Sequence, residues 1–264
     1  MDHRPTNPLV RALLTDCYQL TMAYAQWRHG RHELPAVFEL FFRKPPFGGE
    51  YSLMGGVYEA LGLLNTFRFT PEDIKYIRRE IVVDAPEAFY QWLASVDASQ
   101  MKIWAIPEGS VVFPRVPLMI VEGPIAVGHL LETALLNLVN FSSLVMTNAR
   151  RMVEEAGPGK QLLEFGLRRA QGPDGALTAS RSAYIAGFSS VSTVLAGALY
   201  DIPVKGTHAH AFVTSFSGFE DIPDPLLLNK RTGQMENFVE AVKYWRHQLE
   251  AQNTHEGELA AFTA

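Results

Sequence analysis

Apolar residues recur at helical spacing from Leu9 to Gly30, and Thr15 and Asp16 interrupt the run, so one of the two is placed to cap a helix starting at Cys17. Gly30 is its expected stop. Tyr18, Tyr24 and Trp27 fall on or near one face and read first as core aromatics. Val37 to Lys44 alternates like a half-buried strand, with Glu39 opposite Phe38 and Leu40. KPPFGGE then turns the chain, and Gly55 and Gly56 lead into a helix over VYEALGLLNTF. A phosphate cradle at these glycines would need a strand-loop-helix fingerprint that is absent. Thr70 predicts an N-cap, with Pro71 opening the helix, acids in its first turn and arginines in its last. A further helix is expected near Pro86 to Ser95, and strands over MKIWAIPEG and PLMIVEGP. Residues up to about Pro124 therefore read as mixed α+β.

Ile125 to Ala156 is helical almost throughout, as one buried helix or two in series, and GPGK stops it. Beyond Gln161 the pattern changes. LLEFG reads as a short strand, QGPDG as a turn, Leu177 to Ala186 as a helix, and Ile202 as a second strand that ends before GTHAHAFVTSF. Short strands alternating with helices indicate parallel β/α construction, in which ligands lie beyond the carboxyl ends of the strands. Phe165 to Arg169 and Gly206 to His210 both occupy such positions. DIPDPLLLNKRTGQ is expected to be an exposed, turn-rich connection. It leads to an amphipathic helix over MENFVEAVKYWRHQLEAQ and then to what reads as the first turn of another helix. The expected fold class is α/β: an N-terminal α+β domain over 1–157 with its long connecting helix, then the first strands and helices of an irregular, incomplete α/β barrel over 158–264.

Composition narrows the function classes. With 264 residues, 47% hydrophobic and 19% charged, the chain can bury a substantial core. A net charge of -5 argues against a nucleic-acid binder. The lone Cys17 fits a reducing compartment, and the N-terminus has neither a signal-peptide core nor transit-peptide character, so the cytosol is expected. No run of about 20 apolar residues calls for a membrane. Three chemistries compete for His208 and His210: local hydrogen bonding, a shared metal ion as in a barrel hydrolase, and a nucleophilic or acid-base histidine that handles phosphate. Arg43 and Lys44 read as a solvated turn or as a basic lip for phosphate.

The set TDCYQLTMA, FELFFRKPPFGG, IPEG, LLETALLNL, LLEFGLRRAQGPDGALTAS and GTHAHAFVTSFSG resembles the eukaryotic-type nicotinate phosphoribosyltransferase family along essentially the whole chain. The resemblance implies synthesis of nicotinate mononucleotide and pyrophosphate from nicotinate and phosphoribosyl pyrophosphate, with coupled ATP hydrolysis, in NAD salvage. It implies that Tyr18 stacks on the pyridine ring across a homodimer interface with Asp16 beside it, and that Phe165 covers the other face. Arg168, with Arg169 adjacent, would hold the pyridine carboxylate or the phosphoribosyl phosphates, and Thr207 would contact the nicotinate end. His210 would be phosphorylated transiently by ATP, a role for which imidazole is a competent nucleophile. Ser192 stands where relatives that use nicotinamide carry an aspartate, and a neutral hydroxyl does not repel a carboxylate, so an acid is the implied substrate. Mg2+ or Mn2+ and ATP are implied, with no bound organic cofactor and no metal ligand assigned in this chain.

A closed barrel needs about eight strands in roughly 250 residues, and only about 100 residues follow Gln161. The family's downstream Asp-Ser-Gly-Asp motif and later phosphate-binding glycines are missing. The chain is thus expected to be a truncated form, with feeble turnover or none, and the alternative function is that of a catalytically incomplete dimer partner or inert fragment.

Overall fold

The computed structural model describes residues 5–264, so the first four residues of the N-terminal stretch read for targeting signals lie outside it. The fold is of the mixed α/β class. Two compact units are present, the first ending at Lys205 and the second being Gly206–Ala264. The boundary expected at residue 157 falls inside the first unit.

In the first unit, residues 9–15 form turns and not the first part of a helix, although Val10 and Ala12 are buried. Helix α1 is Cys17–Arg28, with Asp16 in the N-cap position. Strand β1 is Pro35–Leu40, in which Phe38 and Leu40 turn inward and Val37 and Glu39 outward, as the alternation requires. It ends four residues short of Lys44. Pro45 and Pro46 lack the N–H groups that would prolong a ladder, and Phe47 turns the chain with a left-handed backbone (φ 58). The short β2 (Ser52–Leu53) was not expected from the pattern. Helix α2 (Val57–Thr66) follows, then α3 (Pro71–Glu80), where Thr70 and Asp73 form a reciprocal capping box, and α4 (Glu87–Ser95). Tyr24 and Trp27 pack edge-on against Phe89 of α4 at 4.8 and 5.6 Å, whereas Tyr18 is 47% exposed. One helix thus carries two aromatic populations.

Strands β3 (Lys102–Ala105), β4 (Val111–Val112) and β5 (Met119–Pro124) complete two antiparallel sheets. The larger has the order β1-β5-β3, with Phe38 opposite Val121 and Trp104 opposite Ile120; β2 pairs with β4 in the smaller. Helix α5, Ile125–Ala156, is a single unbroken helix of 32 residues. Leu130, Leu131, Ala134, Leu135 and Val139 anchor it in the main core. Gly128 admits the Phe38 ring, since a Cβ there would lie 2.2 Å from Phe38 Cε2. Among the described residues, α5 alone is long and apolar enough to cross a bilayer. Its buried face, however, includes Ser143 and Thr147, which hydrogen-bond to Gly55 and Leu53 as in a helix built into a protein core.

A parallel β-α-β arrangement closes the first unit. Strand β6 (Leu163–Glu164) and β7 (Ser190–Val191) pair in parallel around α6, Gly172–Ile185. QGPDG is therefore not a separate turn. Pro173 sits in the first turn of α6, where no N–H is needed, and Asp174 faces the positive end of the helix. Met146 and Ala149 of α5 meet Ala183 and Ala186 in a second core. Helix α7 (Val194–Tyr200) packs Ala196 against Val191 and Ile202, and Val204 adds one parallel bridge to Val191.

The second unit holds α8 (His210–Val213), β8 (Leu226–Leu228), β9 (Met235–Asn237), α9 (Phe238–Gln248) and α10 (Glu256–Thr263). The connection read as irregular is an antiparallel hairpin with Leu227 opposite Glu236. Asn229 holds its turn by accepting the Arg231 N–H at 2.9 Å. The following helix starts at Phe238, three residues later than expected, because the Asn237 side chain caps it through the Glu240 N–H. Phe219, Val239 and Ala260 form the core of this unit.

Candidate active site at the end of a parallel strand pair

Four of the expected site residues come together where β6 and β7 end. Phe165, half-buried, follows β6 directly, and the Ser192 N–H donates to the Glu164 carbonyl at 2.9 Å, so Ser192 lies beside it across the pair. The chain then tightens into a 3₁₀ turn over Leu167–Arg169 that presents Arg168 and Arg169 to solvent. Among the described residues neither guanidinium has an ion pair, so both are free to meet an anion.

The Glu164 side chain builds this corner. Its Oε1 accepts the Gly166 N–H and its Oε2 accepts the Ser180 hydroxyl of α6 at 2.8 Å. Ser180, fully buried, also contacts Thr193 Oγ1 at 3.2 Å. A carboxylate at a strand end, gripped by a backbone N–H and a buried hydroxyl, fixes the turn that carries the arginines. On the next residue of α6, Arg181 forms a two-point ion pair with Glu108 of the IPEG loop. Burial alone would push the Glu108 carboxyl up, but the Arg181 guanidinium and the Gly56 N–H outweigh it and hold it below the usual range.

Asp16 and Tyr18 form a separate group, facing α5. The Tyr18 hydroxyl donates to Glu132 at 3.4 Å, and Asp16 accepts from Thr133 at 3.4 Å. Asp16 holds the N-cap position, yet its carboxylate does not cap α1. No hydrogen bond or ring contact joins this group to the β6–β7 corner among the described residues. Thr207 and His210 belong to the second unit. Thr207 is exposed, and His210 opens α8 with its side chain toward solvent. His208 instead meets the Phe262 ring edge-on at 4.8 Å and lies near Phe212 at 6.2 Å, an aromatic packing role. Among the described residues no group of three or more His, Cys, Asp or Glu is placed to hold a metal ion.

A sequence profile of the nicotinate phosphoribosyltransferase (NAPRTase) N-terminal domain matches residues 13–140. Nicotinate phosphoribosyltransferase 2 of Arabidopsis thaliana is 49% identical over 98% of this chain and 48% of its own length. The Homo sapiens nicotinate phosphoribosyltransferase is 49% identical over 96% of this chain and 48% of its own. The crystal structure of human nicotinic acid phosphoribosyltransferase superimposes with a TM-score of 0.84 over 94% of this chain and 51% of that one. The chain belongs to the nicotinate phosphoribosyltransferase family. It spans about half the length of the curated relatives it matches.

Within this family member, the sequence reading missed Glu164, Ser180, Glu108, Gln19 and Glu132. Glu164 carried a legible signal, an acid between LL and FG at a strand's end. Glu108 lay in the quoted IPEG. Gln19 and Glu132 carried none, because a partner more than a hundred residues away is invisible to local pattern.

Proposed function

We propose that this chain serves a nicotinate phosphoribosyltransferase reaction: the nicotinate ring nitrogen attacks C1 of phosphoribosyl pyrophosphate, the C1–oxygen bond to pyrophosphate breaks, and pyrophosphate leaves with the bonding pair. The observation that carries the reading is the β6–β7 corner, where an aromatic ring, two guanidinium groups without an ion pair among the described residues and a neutral serine are gathered beyond parallel strands. Phe165 covers one face of the flat ring. Arg168 pairs with its carboxylate or with phosphoribosyl phosphate, a planar match suited to two parallel hydrogen bonds, and Arg169 adds charge. Ser192 presents no charge to repel an acid. Tyr18, with Asp16 beside it, supplies the other ring face from a second copy of the chain. That Tyr18 and Phe165 belong to separate groups within one chain supports sharing between copies in a homodimer.

Thr207 contacts the nicotinate end, and His210, open to solvent, accepts a phosphoryl group from ATP and later passes it to water. Magnesium or manganese enters as the companion of the phosphates, held chiefly by their oxygens. Cys17, exposed and unpaired, suits a reducing cytosol.

The test is incubation of the purified, folded chain with labelled nicotinate, phosphoribosyl pyrophosphate, magnesium and ATP, beside a His210→Ala control. Because the chain spans about half the length of its relatives, a feeble yield of nicotinate mononucleotide that falls further in the control is the expected result. No product in either sample would overturn the reading for this chain.

A further inference from the structure

A continuous run of side chains links Asp16 to Tyr18 by way of α5. Asp16 Oδ2 accepts from Thr133 Oγ1 at 3.4 Å, and Thr133 Oγ1 accepts from Gln19 Nε2 at 3.4 Å. The same Nε2 donates to Glu132 Oε2 at 2.8 Å, and Glu132 Oε1 accepts the Tyr18 hydroxyl at 3.4 Å. Gln19 is the hub. It is completely buried, and its Oε1 has no hydrogen-bond partner among the described residues. A buried amide left half-satisfied costs stability, and an apolar side chain would avoid that cost. The gain on the other side is orientation. Glu132 and Thr133 lie between Leu131 and Ala134, and Gln19 precedes Leu20, all buried, so neither helix can roll at this contact.

We propose that Gln19 and Glu132 are positioning residues that hold the Tyr18 ring and the Asp16 carboxylate as a preformed wall for the flat substrate ring. The proposal rests on the reading of Tyr18 as a nicotinate contact. An exposed tyrosine ordinarily samples several rotamers, and freezing them on binding weakens the complex. A tether at the hydroxyl removes part of that loss beforehand. Links of 3.4 Å suit a tether that shortens when the ring is loaded.

The full chain, labelled with 3-fluorotyrosine, gives a fluorine resonance for position 18 that Tyr18→Phe identifies by its loss. In Glu132→Ala this resonance is expected to shift and narrow as the ring gains freedom, and Glu132→Gln, which keeps an acceptor oxygen, restores it. Nicotinate titrations complete the test. Glu132→Ala and Tyr18→Phe each weaken affinity by about threefold to tenfold, and the double variant is no weaker than either single one. An unchanged fluorine resonance in Glu132→Ala, or losses that multiply in the double variant, would overturn the proposal. Unchanged nicotinate affinity in Tyr18→Ala would instead refute Tyr18 as a contact, and the fluorine result would still decide the positioning role.

Discussion

Arg181 grips Glu108 through two parallel hydrogen bonds of 2.9 and 2.7 Å, and the same carboxylate takes the Gly56 N–H at 2.7 Å. The guanidinium lies over the Tyr58 ring at 4.7 Å, so charge, planarity and stacking converge on one group. Both side chains are less than a fifth exposed. Removing one partner strands the other. Arg181→Met or Glu108→Ala is expected to cost on the order of 3 kcal/mol in urea unfolding, and the double variant less than the sum.

The same pair sets an acid limb. Because the folded-state carboxyl of Glu108 titrates below its ordinary value of 4.5, its contribution is fully present above that value and is lost as pH falls through the lower folded one. Glu108→Gln should flatten the drop in urea midpoint below about pH 4.5. An unaltered acid limb in that variant would place the titrating group elsewhere.

His129 acts in a different window. Burial lowers its pKa below the ordinary 6.5, and the Glu132 charge opposes this only in part. The unfolded chain therefore binds the proton first, so stability is complete above about pH 6.5 and declines below it toward the folded value. His129 Nδ1 is also buried without a partner among the described residues, and its ring meets Phe38 at 5.6 Å. His129→Leu is expected to remove the decline between neutrality and the acid limb, measured as unfolding midpoints in closely spaced buffers.

Gly56 has a left-handed backbone (φ 88), and a Cβ on it would lie 2.2 Å from the Leu138 carbonyl oxygen of α5. Gly56→Ala combines backbone strain with a clash that α5 cannot yield to, and should cost about 3 kcal/mol or more. Thr70→Ala, which removes a surface cap, should cost about 1 kcal/mol. Thermal unfolding of both variants ranks them, and the reverse order would mean that α5 gives way locally.

Glu164→Ala frees the Gly166 N–H and the Ser180 hydroxyl. The 165–169 turn should then exchange its amide hydrogens faster while α5 keeps its protection, and on the proposed reading of this corner any affinity for nicotinate should weaken with it. Protection unchanged at Gly166 would show that the turn stands without the carboxylate.

Long elements were legible because their cues are local. The Thr70–Asp73 box, Pro71 and the arginines at the end of α3 all lie within or beside one helix, and α5 is mainly apolar up to Asn148. The strand ending before Phe165 was also visible, since LLEFG ends in a glycine. Contacts distant in sequence were not visible. The pairing of β2 with β4 joins Ser52 to Val112 over two residues, too few for any periodicity to register. The three consecutive leucines of β8 are exposed, as expected of that connection, but their pairing with Met235–Asn237 across a turn left no mark in the local pattern. At the site, the basic pair was legible from residue types and Ser192 only through the family resemblance, whereas the grip of Ser180 on Glu164 exists only once α6 has packed.

α5 extends for roughly 48 Å at 1.5 Å per residue, with no break at which part of it could melt alone. It meets α1 at Glu132, β2 through Thr147 and α6 around Ala149. The wall formed by Tyr18 and the corner formed by Phe165 therefore hang from one beam. A protease should find the first unit either resistant at both places or cut at both, with no long-lived fragment that keeps one and has lost the other.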